Sequence, residues 1–466
     1  MRLGRSRGRD SVPTSDLLAL RVRSLWRFFA AEGFVFWATC CYLIVEYVRP
    51  QQLFRPLYDM PVGVIVLGAA LLAHLVSGRW FTMKGVGSWL LLLFSAVIVM
   101  ASLTAYEPST AFQGWRLWFS WVVIYFLIIN VVNTERRLVF FTLVWLLCHY
   151  YMSQGGAKQF VLRGFRFEDY GVVGAPGWFL NSGEFGVAMC MFLAVSWHFY
   201  LAVRTRLTKW RKVFVLGMPV TAIVGIVGSS SRGAVVGLAA VGAWELLQTK
   251  HRVRGAIGVA VLAAAVWLIL PPEQKERFHT AGTDYTSVQR KVYWKAGLDM
   301  ARTHPVLGVG YNNWFPFYLD HYAEPRAATK EARIAQLPHN IFVHCMAELG
   351  YVGLAVLLLL IFGTLRINYQ TRQLARAGRG PPNSFVTHMA HGLDGALIGY
   401  LASGFFVSVL YYPFFWINLA LTVALGAIAR RNLRERLAGA AAPRRPRGNA
   451  TPLGPVPTTL IPGSLA

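Results

Sequence analysis

The chain has 466 residues, of which 55% are hydrophobic and 14% are charged, and its mean hydropathy is +0.44. These values exclude an ordinary soluble domain and indicate a membrane protein with many transmembrane segments. The formal net charge of +25 would suggest nucleic-acid binding in a soluble protein. Here the basic residues lie between apolar segments and at both ends, so topology and anionic lipid explain them. We therefore expect membrane lipids as partners and no nucleic acid.

Apolar runs of roughly 16 to 24 residues recur along the chain, and each is about long enough to span a bilayer. They predict an all-α polytopic membrane protein with about twelve transmembrane helices. Nine spans lie within residues 28–270 and three within 341–430. The predicted spans are Phe28–Tyr47, Val62–Ser77, Ser88–Thr104, Trp115–Val132, Leu138–Met152, Ser182–Val203, Val213–Gly228, Ala234–Leu247, Ala256–Leu270, Ile341–Leu365, Leu393–Tyr411 and Phe414–Ala429.

The distribution of lysine and arginine predicts the topology. Residues 1–27 form a basic segment without the features of a cleavable signal peptide. Placing this segment in the cytoplasm puts every strongly basic loop on the cytoplasmic side, and the C-terminus as well. Two outer loops, Arg49–Pro61 and Gly155–Asn181, nevertheless contain arginine. We interpret the arginines of both loops, Arg49, Arg55, Arg163 and Arg166, as candidates for binding an anion, and we assign Arg163 and Arg166 to the substrate.

A large outer loop is predicted at residues 271–340, and we expect it to contain amphipathic helices. A helical pattern begins at Ser287, with Val288, Val292, Ala296 and Met300 on one apolar stripe, and Pro305 ends it. This helix should lie as a lid on the outer surface of the bundle.

The C-terminal segment, residues 431–466, is a basic tail. From Ala438 it is rich in proline, alanine, glycine and arginine and has no apolar periodicity. We expect this cytoplasmic tail to be disordered.

The sequence PHNIFVHCMAELGYVG, Pro338–Gly353, places polar residues at the start of a long apolar segment. Asn340 can cap the helix that follows, and His339 precedes that cap. Glu348 follows two turns later, where a carboxyl group needs a partner. His339 should therefore lie at a membrane surface, beside the positive end of a helix dipole.

The predicted topology brings three basic side chains to the outer face. Arg232 lies in a Ser/Gly-rich break between two spans, Arg290 on the lid helix, and His339 at the start of a later span. Two guanidiniums beside helix ends suit a phosphorylated ligand, and a histidine near neutral pKa can accept a proton from a hydroxyl. Taken singly, each has a structural explanation: an interfacial anchor, a solvated charge and a helix-entry residue. Together they favour a functional site.

Supporting roles are assigned to two acidic residues. We expect Glu184 and Glu348 to pair with the arginines and hold them in place. The five cysteines all lie in apolar segments without the spacing of metal ligands. Chemistry with a phosphate leaving group at this site needs no metal, so we expect no cofactor.

Three segments carry a resemblance to the bacterial O-antigen ligase and polymerase superfamily. They are Ser229–Ala234 (SSSRGA), Arg290–Trp314 (RKVYWKAGLDMARTHPVLGVGYNNW) and Pro338–Leu354. Their order and their placement around a large loop are similar to that family. The earlier segment Glu46–Pro56 (EYVRPQQLFRP) also looks like the O-glycosylation ligases that accompany exosortase loci.

The resemblance implies a GT-C-like helical bundle in the bacterial inner membrane with a periplasmic active site. It implies a metal-independent, inverting glycosyltransferase whose donor is an undecaprenyl-diphosphate-linked glycan. By that resemblance Arg232 and Arg290 hold the diphosphate and His339 activates the acceptor hydroxyl. We assign Asn340 to substrate binding as well. The acceptor is left open among a glycolipid, a glycan and a protein.

Two other functions remain open at this stage. A polymerase of the same superfamily would use one lipid-linked glycan as donor and another as acceptor. A transporter of lipid-linked sugars would also use many spans and arginines, but it should have two related halves and charged residues near the bilayer midplane.

Overall fold

The computed structural model describes residues 12–166, 171–269, 272–280, 282–323, 336–377 and 383–441. These residues form seventeen α-helices and no strand. In chain order the helices are α1 (Thr14–Leu18), α2 (Val22–Ala31), α3 (Phe34–Tyr47), α4 (Val62–Val76), α5 (Val86–Leu103), α6 (Pro108–Val131), α7 (Glu135–Leu162), α8 (Ser182–Val203), α9 (Lys209–Gly228), α10 (Arg232–Gln248), α11 (Arg252–Ile269), α12 (Pro272–His279), α13 (Tyr285–Thr303), α14 (Trp314–His321), α15 (Ile341–Arg376), α16 (Ser384–Gly404) and α17 (Pro413–Ala441). The predicted all-α class is confirmed for this part of the chain.

Six of the described helices are long and apolar enough to cross a membrane, namely α5, α6, α8, α9, α15 and α17. Helices α3 and α4 are apolar but shorter. Eleven of the twelve predicted spans each fall on one helix, with boundaries that differ by several residues. The first, Phe28–Tyr47, is wrong as a single span, because it covers the end of α2 and all of α3, which are separated at Glu32 and Gly33. The membrane character is therefore confirmed, whereas the number of spans stays a prediction.

Helix α8 lies at the centre of the bundle, and 83% of its most apolar 18-residue stretch is buried. Helices α10 and α16 pack closely against it because glycines remove side chains at the contacts. A Cβ atom at Gly237 would lie 2.9 Å from Cys190 Sγ of α8, and one at Gly399 would lie 3.3 Å from Cys190 Cβ. Small residues let helix backbones approach closely, which is how helices associate in membranes.

The connecting loops gather at two ends of the bundle. At one end, which sequence assigns to the cytoplasm, Arg137 Nη2 lies 2.5 Å from Glu32 Oε2 and Arg211 Nη1 donates to the Ala19 carbonyl oxygen at 3.1 Å. At the other end, the Val172 N–H donates to the Gly228 carbonyl oxygen at 2.9 Å. Loops that were predicted to share one side of the membrane thus lie at the same end of the bundle, and the side that each end faces stays a prediction.

Helix α15 is broken at Gly350, where the backbone adopts φ 65° and ψ −169°. Sequence predicted one continuous span ending at Leu365, but the second half continues to Arg376. The break accommodates the segment after α13, because the Tyr351 N–H donates to the Pro305 carbonyl oxygen at 2.8 Å. A Cβ atom at Gly350 would lie 2.3 Å from the Val306 carbonyl oxygen, so both the space and the positive φ require glycine.

Two other predictions need correction in detail. Helix α13 occupies the predicted position, and Ala296 and Met300 of the predicted stripe are buried, whereas Val288 and Val292 are exposed. The rest of the buried face is formed by Tyr293, Gly297 and Ala301. The tail predicted to be disordered from residue 431 begins as helix, since α17 continues to Ala441. Arg431 and Glu435 form an i,i+4 ion pair there, which favours helix. The tail beyond Ala441 lies outside the described residues.

Candidate active site

The break between α9 and α10 positions Arg232 as the first residue of α10. Ser230 has a positive φ of 56°, and the Ser231 side chain accepts a hydrogen bond from the Ala234 N–H at 3.3 Å. This is an N-cap, which satisfies a free donor at the start of the helix. Arg232 therefore stands at the positive end of the α10 dipole.

Arg232 forms a bidentate ion pair with Asp284, the residue before α13. Arg232 Nη1 donates to Asp284 Oδ1 at 3.0 Å, and Nη2 donates to Oδ2 at 2.8 Å. Arg232 Nη2 also contacts Thr286 Oγ1 and Ser287 Oγ at 3.0 and 3.2 Å. Hydrogen bonds to Asp284 from Arg232, Ser287 and Thr286 hold the pKa of its carboxyl well below the usual range, and the Arg232 contribution is the largest. The pair ties the start of α13 to the start of α10.

Arg290 lies on α13, about a turn and a half beyond Asp284. Its side chain is half-buried, and it forms no hydrogen bond or ion pair with any residue that the structure describes. Burial and the Arg232 charge lower the pKa of the Arg290 guanidinium, while Asp284 opposes that shift. Such a cation favours an anionic ligand, because a partly desolvated charge is costly when it is unpaired.

His339 lies directly before α15 with a positive φ of 51°. Its N–H donates to Ser408 Oγ at 2.7 Å, and its Nε2 lies 3.2 Å from Gln336 Oε1. Burial and the nearby Arg290 charge lower the pKa of the His339 imidazole to about 4. The ring is therefore neutral at pH 7 and can accept a proton. The structure thus brings the three predicted residues into one electrostatically coupled group.

Residues 217–358, which contain Arg232, Arg290 and His339, match a protein-family model described as O-antigen ligase. We refer to residues 217–358, which match this model, as the O-antigen ligase domain. The resemblance to the O-antigen ligase superfamily is thereby confirmed. Residues 16–172, which precede this domain, match a family of unknown function. No curated protein matches the chain.

Within the O-antigen ligase domain, Asn340 is a helix cap. Its buried side-chain Oδ1 accepts hydrogen bonds from the Phe342 and Val343 N–H groups at 2.9 and 3.2 Å. The predicted cap is confirmed. Substrate binding by Asn340 stays a prediction, and the observed bonds make it a residue that fixes the backbone beside His339.

The acidic residues do not pair with the arginines as expected. Glu348 Oε1 accepts from the Trp314 N–H at 3.0 Å, and Oε2 lies 3.4 Å from His344 Nε2. Glu348 thus caps α14 from inside the O-antigen ligase domain. Glu184, which precedes the domain, accepts from the Tyr412 hydroxyl at 2.7 Å. Both contacts join segments far apart in sequence, which is why sequence alone could not assign them.

The predicted outer-loop arginines lie at the end of α7. Arg163 is half-buried and Arg166 is exposed. After residues 167–170, which lie outside the described part, Gly171 packs against the backbone of Ser229, next to the domain's α9–α10 break. Their binding of substrate stays a prediction.

A buried polar cluster at the opposite end of the bundle was missed. His198 Nε2 lies 2.9 Å from Glu245 Oε1, and the His198 ring lies 5.7 and 5.6 Å from the rings of His388 and His391. The i,i+3 spacing of His388 and His391 was the only local signal that they share a helix face.

Proposed function

We propose that this protein is a membrane glycosyltransferase that transfers a glycan from an undecaprenyl-diphosphate carrier to an acceptor hydroxyl. The proposed reaction takes place on the periplasmic side of the bacterial inner membrane. The O-antigen ligase domain supports the ligase and polymerase class, and the six long apolar helices support membrane embedding. Arg290, together with Arg232 once a phosphate replaces Asp284 in its fork, provides the positive charge that a diphosphate requires, so no metal is included in the proposal.

The single observation that carries the proposal is the guanidinium of Arg290. It is half-buried and forms no hydrogen bond or ion pair with the described residues, and it interacts electrostatically with Arg232, Asp284 and His339. A structural arginine at this depth would be expected to have an acidic partner. A bidentate contact with a phosphate would satisfy Arg290 and place the scissile bond beside His339.

The proposed step is an inverting displacement. The acceptor oxygen attacks the anomeric carbon of the donor sugar, and the bond from that carbon to the phosphate oxygen breaks. The acceptor proton passes to His339, which is neutral and therefore able to act as a base. The carrier diphosphate leaves as an anion, and Arg232 and Arg290 stabilise the charge that develops on it.

The test is transfer by the purified full chain in proteoliposomes containing a defined undecaprenyl-diphosphate glycan. A glycolipid, a free glycan and a peptide are offered as acceptors, and product and released carrier diphosphate are both measured. We expect His339→Ala to abolish transfer and the control His304→Ala, at the far end of α13, to retain it. Normal transfer by His339→Ala would remove the proposed base.

The same assay separates ligase from polymerase. A ligase joins preformed glycan to a different acceptor, whereas a polymerase lengthens the glycan on a second carrier. Longer glycan chains that are still attached to the lipid carrier would show that this protein is a polymerase.

A further inference from the structure

A cavity lies at the same end of the bundle as the candidate active site, between α3, α4 and α6. Its volume is about 480 Å³. Apart from Trp178, its lining comes from residues 42–123, within the region that matches a family of unknown function. The cavity is separate from Arg232, Arg290 and His339, none of which lines it.

The polar part of the lining is nearly neutral in charge. Arg49 lies 3.8 Å from Glu46 and 5.5 Å from the centre of the Trp178 ring, so its charge is already compensated. This pairing also explains why the outer loop can contain Arg49 without its binding an anion. The remaining polar groups include the amides of Gln51 and Gln52. Amides both donate and accept hydrogen bonds, as vicinal sugar hydroxyls require.

Several polar atoms of these residues lack partners. Arg49 Nε, Gln51 Oε1 and Gln52 Oε1 are buried and have no hydrogen bond within the described residues. By contrast, Gln51 Nε2 donates to the Val45 carbonyl oxygen at 3.2 Å, so one end of that amide is already held. Buried polar atoms are rarely left unsatisfied, and a ligand that reorients these side chains would satisfy them.

The other side of the cavity is apolar and continues towards the outside of the bundle. Val64 and Leu67 from α4 and Phe119 from α6 line this side. Val64 is 53% exposed and Phe119 is 56% exposed, on helices that are apolar along their length. An alkyl chain can therefore lie between α4 and α6 while its head occupies the polar part.

One hydrogen bond and one ring contact connect the cavity to α15, the helix that begins beside His339. Trp121, which lines the cavity, donates from Nε1 to the Tyr411 carbonyl oxygen at 2.9 Å. The Tyr411 ring lies 5.3 Å from the His344 ring, in the helix that begins beside His339. Trp121 and Tyr411 thus connect the cavity to α15.

We propose that this cavity binds a glycolipid, with its neutral sugar head against Gln51, Gln52 and Gln113 and its chain between α4 and α6. A phospholipid is disfavoured because the only uncompensated cation of the lining is Arg116, an exposed residue at the rim. The proposal does not depend on the transfer function. A glycolipid acceptor and a structural membrane glycolipid share this chemistry.

The test is photolabelling of the full chain in nanodiscs with dodecyl glucoside that carries a diazirine at the end of its alkyl chain. Labelled peptides are identified by mass spectrometry. Gly68→Phe fills the cavity, because a Cβ atom at Gly68 meets nothing within 4 Å. Gly242→Phe on α10 is the matched control, since Gly242 is equally open and does not line the cavity. Gln52→Leu tests the head contact at nearly constant volume.

We expect labelling on α4 and α6, and competition by unlabelled dodecyl glucoside. Labelling should fall at least about five-fold in Gly68→Phe and Gln52→Leu, corresponding to ~1 kcal/mol, and should not fall in Gly242→Phe. Competition by phosphatidylglycerol instead of the glucoside, or undiminished labelling in Gly68→Phe, would overturn the proposal. In the transfer assay, a raised KM for a glycolipid acceptor in Gly68→Phe identifies the ligand as the acceptor, and an unchanged KM identifies a structural lipid. Failure of the transfer function leaves the photolabelling result intact.

Discussion

Arg232 and Asp284, which are 52 residues apart in sequence, are joined by two parallel hydrogen bonds of 3.0 and 2.8 Å. The carboxylate occupies the fork of Arg232 that a phosphate would use. Asp284 therefore both orients Arg232 and competes with an anionic ligand.

Replacing Asp284 with asparagine should tighten binding of a diphosphate. The amide can still accept from Arg232, but the negative charge is removed. Because the pair is partly exposed, we expect about a five-fold lower Kd for farnesyl diphosphate, corresponding to ~1 kcal/mol. The measurement is equilibrium binding to the purified protein at low and high salt. A higher Kd would instead show that the carboxylate is needed to position Arg232.

Arg290→Lys should reduce transfer strongly without reducing stability. Lysine cannot form the bidentate contact, and loss of charge-assisted hydrogen bonds of ~1.5–3 kcal/mol corresponds to roughly 10- to 100-fold in kcat/KM. Tm should not change, because Arg290 has no partner to lose among the described residues. Arg302→Lys, an exposed residue in the last turn of α13, is the control. Equal activity of the two variants would make Arg290 a surface charge.

The pH dependence of transfer should reflect His339. Its pKa is lowered to about 4, so the base form is present above that pH and kcat/KM falls as pH decreases through about 4. Replacing Arg290 with glutamine removes one cause of the pKa shift. The acidic limb of the pH–rate profile, where kcat/KM falls, should then move towards the ordinary histidine value of about 6.5. Bound diphosphate should also raise the pKa, so the limb of kcat should lie at higher pH than that of kcat/KM. A limb that Arg290→Gln leaves unmoved would contradict the coupling.

Asn340→Ala should destabilise the start of α15. Loss of an N-cap costs roughly 0.5–2 kcal/mol, and two N–H groups lose their acceptor. Asn340→Ser should retain most of the stability because serine also caps helices. Thermal unfolding in detergent measures both variants. If the alanine variant loses transfer with unchanged Tm, Asn340 contacts substrate in addition to capping.

Gly350→Ala should be more damaging than an ordinary glycine substitution. The backbone there has a positive φ, and the new Cβ would lie 2.3 Å from the Val306 carbonyl oxygen. We expect a lower Tm and loss of transfer together, as the segment after α13 is displaced. Gly258→Ala on α11, where a Cβ meets nothing within 4 Å, is the control and should not lower Tm.

Local patterns were enough to predict where most of the helices lie and to single out Arg232, Arg290 and His339 as candidates, whose roles stay a prediction. The histidine before an apolar helix and the arginine in a Ser/Gly break both carry local signals, and Arg290 lies on a recognisable amphipathic helix. The pairing of Arg232 with Asp284 and of Glu348 with the Trp314 N–H depends on contacts across the fold, for which one sequence has no signal. The break at Gly350 was missed because the apolar pattern continues through it without interruption.

That break also constrains the order in which the protein can be assembled. The segment after α13 donates from the Val309 N–H to the Ala347 carbonyl oxygen at 2.8 Å, and accepts at Pro305 from Tyr351. During synthesis, these partners emerge about forty residues after the segment they hold. The start of α13 can pair with the earlier α10 through Asp284 and Arg232, but its far end cannot gain these two hydrogen bonds until α15 has been made. A ribosome-stalled chain that ends before Tyr351 should insert its earlier helices and still lack a formed site.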